Sequence, residues 1–148
     1  MNFFEEINWL PRLPNYLIES LHVIESRKNV NPNNFPEIYS SRIVSNDLQN
    51  WAQSFFPYPI IARWQVQHKD LGVHVDSGIK GIKYNYYVNL GGENVDTLFW
   101  DSLDNPLNII GKYKIKLFTW YALQIDIPHS TQGLSYPPRL SLTIKKIN

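Results

Sequence analysis

From Ile60 onward the hydrophobic residues of this chain recur at every second position, in short runs broken by glycine, proline, asparagine and aspartate. That period sends successive side chains to opposite faces of an extended backbone, and it argues against long amphipathic helices in the remainder of the chain. The runs predict strands at Ile60 to His68, Gly72 to Asp76, Lys80 to Leu90, Asp96 to Asp101, Leu107 to Ile110, Lys112 to Thr119, Ala122 to Ile127 and Arg139 to Lys146. Short strands at this spacing, separated by turn residues, predict a β-sandwich or barrel. Gly91-Gly92 and the surroundings of Gly111 read as hairpin turns.

Before Ile60 the spacing changes. Tyr16, Leu17, Leu21, Val23 and Ile24 follow Pro14-Asn15 at roughly helical intervals and stop at Arg27-Lys28-Asn29. The tract Asn31-Pro32-Asn33-Asn34-Phe35-Pro36 reads as a loop, because its prolines and asparagines disfavour both helix and sheet. Ser45-Asn46-Asp47 supplies N-cap chemistry for a second helix, with Leu48, Trp51, Ala52 and Phe55 on one face, and Pro57 and Pro59 close it. The expected organisation is a single domain over 1–148: a helical support region at 1–58, lying against one face of a β core at 59–148.

Composition narrows the function. A chain of 148 residues can bury a core without covalent staples, and 14% aromatic residues favour a β-rich globular protein over disorder. The net charge of +1 argues against a dedicated reader of nucleic acid, which carries a basic excess. With no cysteine, disulfides, thiolate metal sites and a cysteine nucleophile are excluded. No apolar run has the length of a membrane helix, and Met1-Asn2-Phe3-Phe4-Glu5-Glu6 lacks the basic start of a signal peptide. A cytoplasmic protein without membrane contact is therefore expected.

One constellation carries chemistry. His74 and Asp76 flank Val75 on a predicted strand, so both project to the same face, roughly 6.5–7 Å apart along the backbone. His129 follows the alternating Leu123 to Ile127 and Pro128, at a strand end where a third ligand can face inward. Two histidines and one carboxylate with open positions form the facial triad of non-haem Fe(II) oxygenases. Arg139 and Ser141 follow on the next strand.

These residues resemble the Fe(II)- and 2-oxoglutarate-dependent dioxygenases, in particular the prolyl-hydroxylase-like branch. The segment HVDSGIKGIKYNYYVNLGGENVDTLFW is similar to that branch's His-x-Asp strand, its Tyr-Tyr-hydrophobic-Asn strand and its Gly-Gly turn. PHSTQGLSYPPRLSLTI resembles its distal histidine followed by arginine on the next strand, and RWQVQHKDLGVH the strand leading to the first ligand. The resemblance covers about residues 60–146. It implies a double-stranded β-helix (jelly-roll, cupin-like) fold preceded by helices, mainly β within an α+β chain.

It also implies a site. Fe(II) would be held by His74, Asp76 and His129, and dioxygen and the 2-oxo acid would take the open positions. Arg139 would pair with the distal carboxylate of 2-oxoglutarate in a bidentate fork, helped by Ser141 and Tyr86, while Tyr87 faces away into packing. His68 stands where the family often has a co-substrate tyrosine, and is a further candidate contact. Tyr84 and Lys145, in phase with Tyr86 and Arg139, are candidates for the cavity wall or mouth. Trp64, Trp100 and Trp120 read mainly as core.

The implied reaction is hydroxylation with release of succinate and CO2. Its leading substrate is a peptidyl side chain, prolyl among them, presented to an open groove, because Lys69 to Val73 leaves little chain for a lid. The alternatives are a small-molecule or free-amino-acid hydroxylase, and a non-catalytic cupin-like binding module. A peptide, protein or small molecule is the expected partner, nucleic acid is not, and the oligomeric state stays open.

Overall fold

The computed structural model describes residues 3–30, 37–76, 81–104 and 108–147. The described residues form ten strands: β1 (Phe4–Ile7), β2 (Tyr39–Ile43), β3 (Ile60–Gln67), β4 (Leu71–His74), β5 (Ile82–Asn89), β6 (Asp96–Trp100), β7 (Ile109–Lys114), β8 (Trp120–Gln124), β9 (His129–Gln132) and β10 (Arg139–Lys146). Two helices, α1 (Leu21–Ser26) and α2 (Asn46–Gln53), precede β3, and Asn15–Leu17 makes a 3-10 turn. The strands build a six-stranded sheet in the order β1-β8-β5-β10-β3-β2 and a four-stranded sheet in the order β4-β9-β6-β7. All the strand pairs are antiparallel.

From β3 the chain passes back and forth between the sheets: β3, β5, β8 and β10 join the larger one, β4, β6, β7 and β9 the smaller. From β3 to β10, successive strands thus lie in opposite layers, except β6 and β7, which pair with each other at the edge of the smaller sheet. The result is the double-stranded β-helix, a jelly-roll of cupin-like type, as predicted.

The larger sheet has two unlike faces, and alternation along β10 makes them. Leu140, Leu142 and Ile144 point one way, Arg139, Ser141, Thr143 and Lys145 the other. In β3, Ile60, Ala62, Trp64 and Val66 share the apolar side and Arg63, Gln65 and Gln67 the polar one. The apolar face is the outer one. It is sealed by Leu10, Leu13, Leu17, Ile24, Val44, Leu48, Ala52 and Phe56, all from the chain before β3. Trp64 and Trp120 are buried in this core, as the sequence indicated. Between the sheets a smaller cluster of Phe4, Tyr87, Phe99, Ile115, Tyr121, Leu123 and Ile125 closes one side.

Ser45 caps α2 by accepting from the Leu48 backbone N–H at 3.1 Å, and Leu48 and Ala52 are its buried residues. Gln49 and Gln53 tie this helix to β3, through bonds to Ala62, Ile60 and Tyr58 backbone groups.

Four expectations need correction. The 1–58 region is not wholly helical: β1 and β2 extend the two edges of the large sheet, and α1 spans six residues only. FEEI and YSSRI hold their apolar residues at the ends with polar residues between, so they lack the period of two, and pairing with β8 and β3 decides their state. β9, with the sequence HSTQ, was not predicted for the same reason. Gly111 is no turn. It lies inside β7 opposite Phe99, where an added Cβ would meet the Tyr113 and Phe3 rings at 2.8 and 3.0 Å.

Gly91-Gly92 does turn the chain, but it carries β5 across to β6 in the other sheet and so forms no hairpin. Gly91 has φ 78°, and a Cβ there would lie 3.1 Å from the backbone nitrogen of Arg139. The loop read at Asn31 to Pro36, and the starts of the strands placed at Lys80 and Leu107, lie outside the described residues.

Leu142→Ala, which empties a fully buried position of the outer core, is expected to lower stability by about 2–5 kcal/mol. Ile109→Ser, at a half-exposed edge position, should stay within about 0.5 kcal/mol. Urea-unfolding midpoints of the two variants check the contrast.

Candidate metal centre

β4 and β9 pair so that His74 lies directly across from His129, with ring centroids 4.4 Å apart. Asp76 lies two residues beyond the end of β4, and its backbone N–H donates to the Ile125 carbonyl at 3.2 Å. One carboxylate oxygen, Oδ1, faces both imidazoles, 3.3 Å from His129 Nε2 and 3.7 Å from His74 Nε2. One ligand atom from each of the three residues falls within 4.8 Å of the others. This is the size of a first coordination shell around one divalent ion.

The other nitrogens of both rings are occupied in the same way. His74 Nδ1 lies 2.7 Å from the Gly72 carbonyl, and His129 Nδ1 lies 2.7 Å from the Ile127 carbonyl. A carbonyl only accepts, so each Nδ1 carries the proton and each Nε2 turns its lone pair toward the common centre. Burial, with the neighbouring His129 next, pushes His74 below the ordinary imidazole pKa. It therefore stands neutral at pH 7, as a ligand must.

Asp76 is held as an anion. Burial alone would raise its pKa, but the Lys83 ammonium outweighs it and holds the carboxyl well below the usual range. Lys83 Nζ donates to Oδ2 at 2.7 Å, which leaves Oδ1 free toward the histidines. Lys145 Nζ lies 3.8 Å from the same Oδ2. The donor set, its tautomers and its charge state all fit a divalent metal.

The triad opens into a cavity of about 860 Å3 between the two sheets. Arg139 enters this cavity from the start of β10 and is 4% exposed. Its guanidinium lies over the Tyr87 ring at 4.6 Å and donates to the Thr97 and Thr131 hydroxyls at 3.2 and 3.4 Å. Its Nε has no partner, and no carboxylate among the described residues pairs with it. Burial presses its pKa below the ordinary arginine value. A buried cation whose partners are all neutral is costly to leave without a counter-charge. Ser141 lies beside it on the cavity wall, between Tyr87 and Gln65 in register.

Tyr86 is a correction. It is fully buried in the outer core with its ring 5.0 Å from Trp120, and it is Tyr87 that lines the cavity. Tyr84 follows Tyr86, packing against Trp9 and Phe56 on the outer side. The reason is strand parity: Ile82, Tyr84, Tyr86 and Val88 take one face of β5, Lys83, Asn85 and Tyr87 the other.

His68 is a second correction of the same kind. It follows Gln67 at the end of β3, in phase with Trp64 and Val66, and pairs with Glu25 at 3.3 Å outside the cavity. The aromatic hydroxyl that does reach the wall comes from β2: Tyr39, hydrogen-bonded to Gln65. Burial, then the charges of Asp76 and Tyr87, push its pKa far up, so it is a phenol and not a phenolate.

Tyr87, Tyr39, Thr97, Thr131 and Lys83 were missed by sequence reasoning. For Tyr87 and Lys83 the signal was present in the alternation of β5. For Thr97, Thr131 and Tyr39 it was not, because β6, β9 and β2 are joined to the site only by the fold.

No family model matches this chain, and no curated protein matches it. Solved structures of oxalate decarboxylase from Bacillus subtilis are similar to it over 83% of its length, at 12% identity and a TM-score of 0.48. The chain spans 28% of the length of those proteins. The same enzyme at pH 4.6 matches at 11% identity and a TM-score of 0.47.

Lys83→Met keeps the stem and removes the charge that orients Asp76. Metal affinity is expected to fall about 10–100-fold while the fold persists. Equilibrium dialysis against Mn(II), with circular dichroism as the control for folding, measures it.

Proposed function

We propose that this chain is a non-haem Fe(II) oxygenase that consumes 2-oxoglutarate and dioxygen, hydroxylates its substrate and releases succinate and CO2. The observation that carries this reading is the pairing of two features in one cavity. A His74, Asp76 and His129 triad with both Nε2 atoms and one Oδ1 convergent lies in the same chamber as Arg139, a buried guanidinium without an acidic partner. A metal alone would not call for the arginine. A co-substrate that chelates a metal at one end and carries a carboxylate at the other calls for both.

When bound, Fe(II) supplies the dioxygen chemistry that couples oxidative decarboxylation of the 2-oxo acid to hydroxylation of a carbon. The chain's residues bind, orient and shield. His74 and His129 present fixed lone pairs because Gly72 and Ile127 hold their Nδ1 protons. Lys83 keeps Asp76 ionised and its Oδ1 turned inward. Thr97 and Thr131 spread the Arg139 fork, Tyr87 supports its face, and Ser141 offers one more donor to the distal carboxylate. Phe99, fully buried and 5.9 Å from the His129 ring, excludes water from behind that ligand.

Room in the cavity bears on the substrate. A volume of about 860 Å3 lies high in the range of small-molecule sites. This favours the small-molecule alternative over the shallow groove and peptidyl side chain that the short Lys69 to Val73 segment had suggested. A non-catalytic binding module is the remaining reading, and turnover separates it from the oxygenase.

His74→Ala should abolish metal binding, whereas Arg139→Ala should retain the metal and weaken 2-oxoglutarate by about tenfold or more. Anaerobic titration with Fe(II) and then 2-oxoglutarate reads both steps, the second as a weak charge-transfer band in the visible. Equal loss of metal in the two variants would contradict these roles, and absence of succinate under air would leave a binding module. Tyr87→Ala should weaken 2-oxoglutarate, while Tyr86→Phe should leave it unchanged.

A further inference from the structure

The mouth of the cavity carries more positive charge than the proposed chemistry uses. Lys83 and Lys145 stand directly opposite each other on β5 and β10, and like charges so placed repel. They share one carboxylate, Asp76, which Lys83 already engages at 2.7 Å and Lys145 only approaches at 3.8 Å. One residue pair along the same face, Arg63 lies opposite Thr143. The single partner shown for its guanidinium is the Ala62 carbonyl at 3.3 Å, and no carboxylate among the described residues pairs with it.

Asp76 is the single acidic side chain on the cavity wall among the described residues. The undescribed stretches of the sequence contain no aspartate or glutamate. A bound metal would draw on Asp76 and leave Lys145 with still less compensation. Arg139, a cation itself, offers this charge no compensation. It lies six residues before Lys145 on β10, and its guanidinium turns to the Thr97 and Thr131 hydroxyls.

We infer that Lys145 and Arg63, with Lys83 behind them, form an anion subsite that selects a small acid as the prime substrate, one bearing a carboxylate or phosphate near the carbon that reacts. The inference rests on Arg139 serving the co-substrate, which leaves the mouth cations to the second ligand. A neutral peptide side chain would leave them uncompensated. An acid would satisfy them and be held beside the metal by charge-assisted bonds.

The test titrates the full chain, loaded with Mn(II), with adipate and with its neutral counterpart adipamide, with and without saturating 2-oxoglutarate. Calorimetry reads affinity, and broadening of the probe's proton resonances by Mn(II) reads proximity to the metal. Adipate is expected to bind about tenfold or more tightly than adipamide, to be broadened, and to weaken as salt rises. The double variant Arg63→Gln, Lys145→Met keeps both stems. It should lose at least about tenfold in adipate affinity and keep its affinity for Mn(II) and 2-oxoglutarate. Equal binding of the two probes, or undiminished adipate binding by the double variant, overturns the subsite. A protein that fails to bind 2-oxoglutarate but shows the adipate contrast and its loss in the double variant would retain the subsite and lose the co-substrate reading.

Discussion

The six-stranded sheet, with its apolar face turned outward, is the constraint on which the rest of this molecule depends. A sheet that buried Leu142, Ile144, Trp64 and Val66 between the two layers would leave no chamber. Here those residues pack outward under α1, α2 and the segment around Leu10 to Leu17, and hydrophobic burial is completed on that side. The interior is thereby released from packing. It can carry Arg139, Ser141, Thr143, Gln65, Gln67, Asn85 and Lys83, a polar wall that no ordinary sandwich core would tolerate. The chain before β3 is therefore part of the site's construction although most of it never touches the cavity.

Within that chamber the polar groups satisfy one another in a graded way. Asn85 bonds to Thr143 and to the Tyr87 hydroxyl, and Gln65 bonds to Ser41 and Tyr39. These are closed networks that stiffen the wall. At its two ends the networks stay open. Arg139 has hydroxyl partners and no anion, while Lys145 and Arg63 lack a carboxylate of their own. The Asp76 triad lies beside the second group, through Lys83. Among the described residues of the wall, it is at these two ends that cations lack a carboxylate of their own. These two open ends are where the proposed co-substrate and the inferred acid would find their counter-charges.

Much of this was legible in the residues. The period of two fixed the strands from Ile60 to Asp101 and along β10 closely, and Ser45 announced the start of α2. His74, Asp76, His129, Arg139 and Ser141 were singled out from spacing and resemblance, and the fold brings all of them to one chamber. Tyr86 and His68 correspond to positions of the family motif in order but not in strand parity, and parity decides which face they take. In KYNYYVN the charged and amide side chains alternate with the bulky ones, and that pattern already put Tyr87 with Lys83 and Asn85. His68 continues the face of Trp64 and Val66.

What the sequence by itself determined is the set of local periods and caps, and with them which residues of each strand share a face. Those follow from backbone geometry and need no partner. Tertiary structure alone decided which of the two faces is the interior, because that depends on where a remote apolar segment docks. It also decided that β2, β6 and β9, polar or short as they are, contribute Tyr39, Thr97 and Thr131 to the same wall as Arg139. Strand pairing across the jelly-roll joins positions far apart in the chain, and nothing in the spacing of residues along it records which edges will meet.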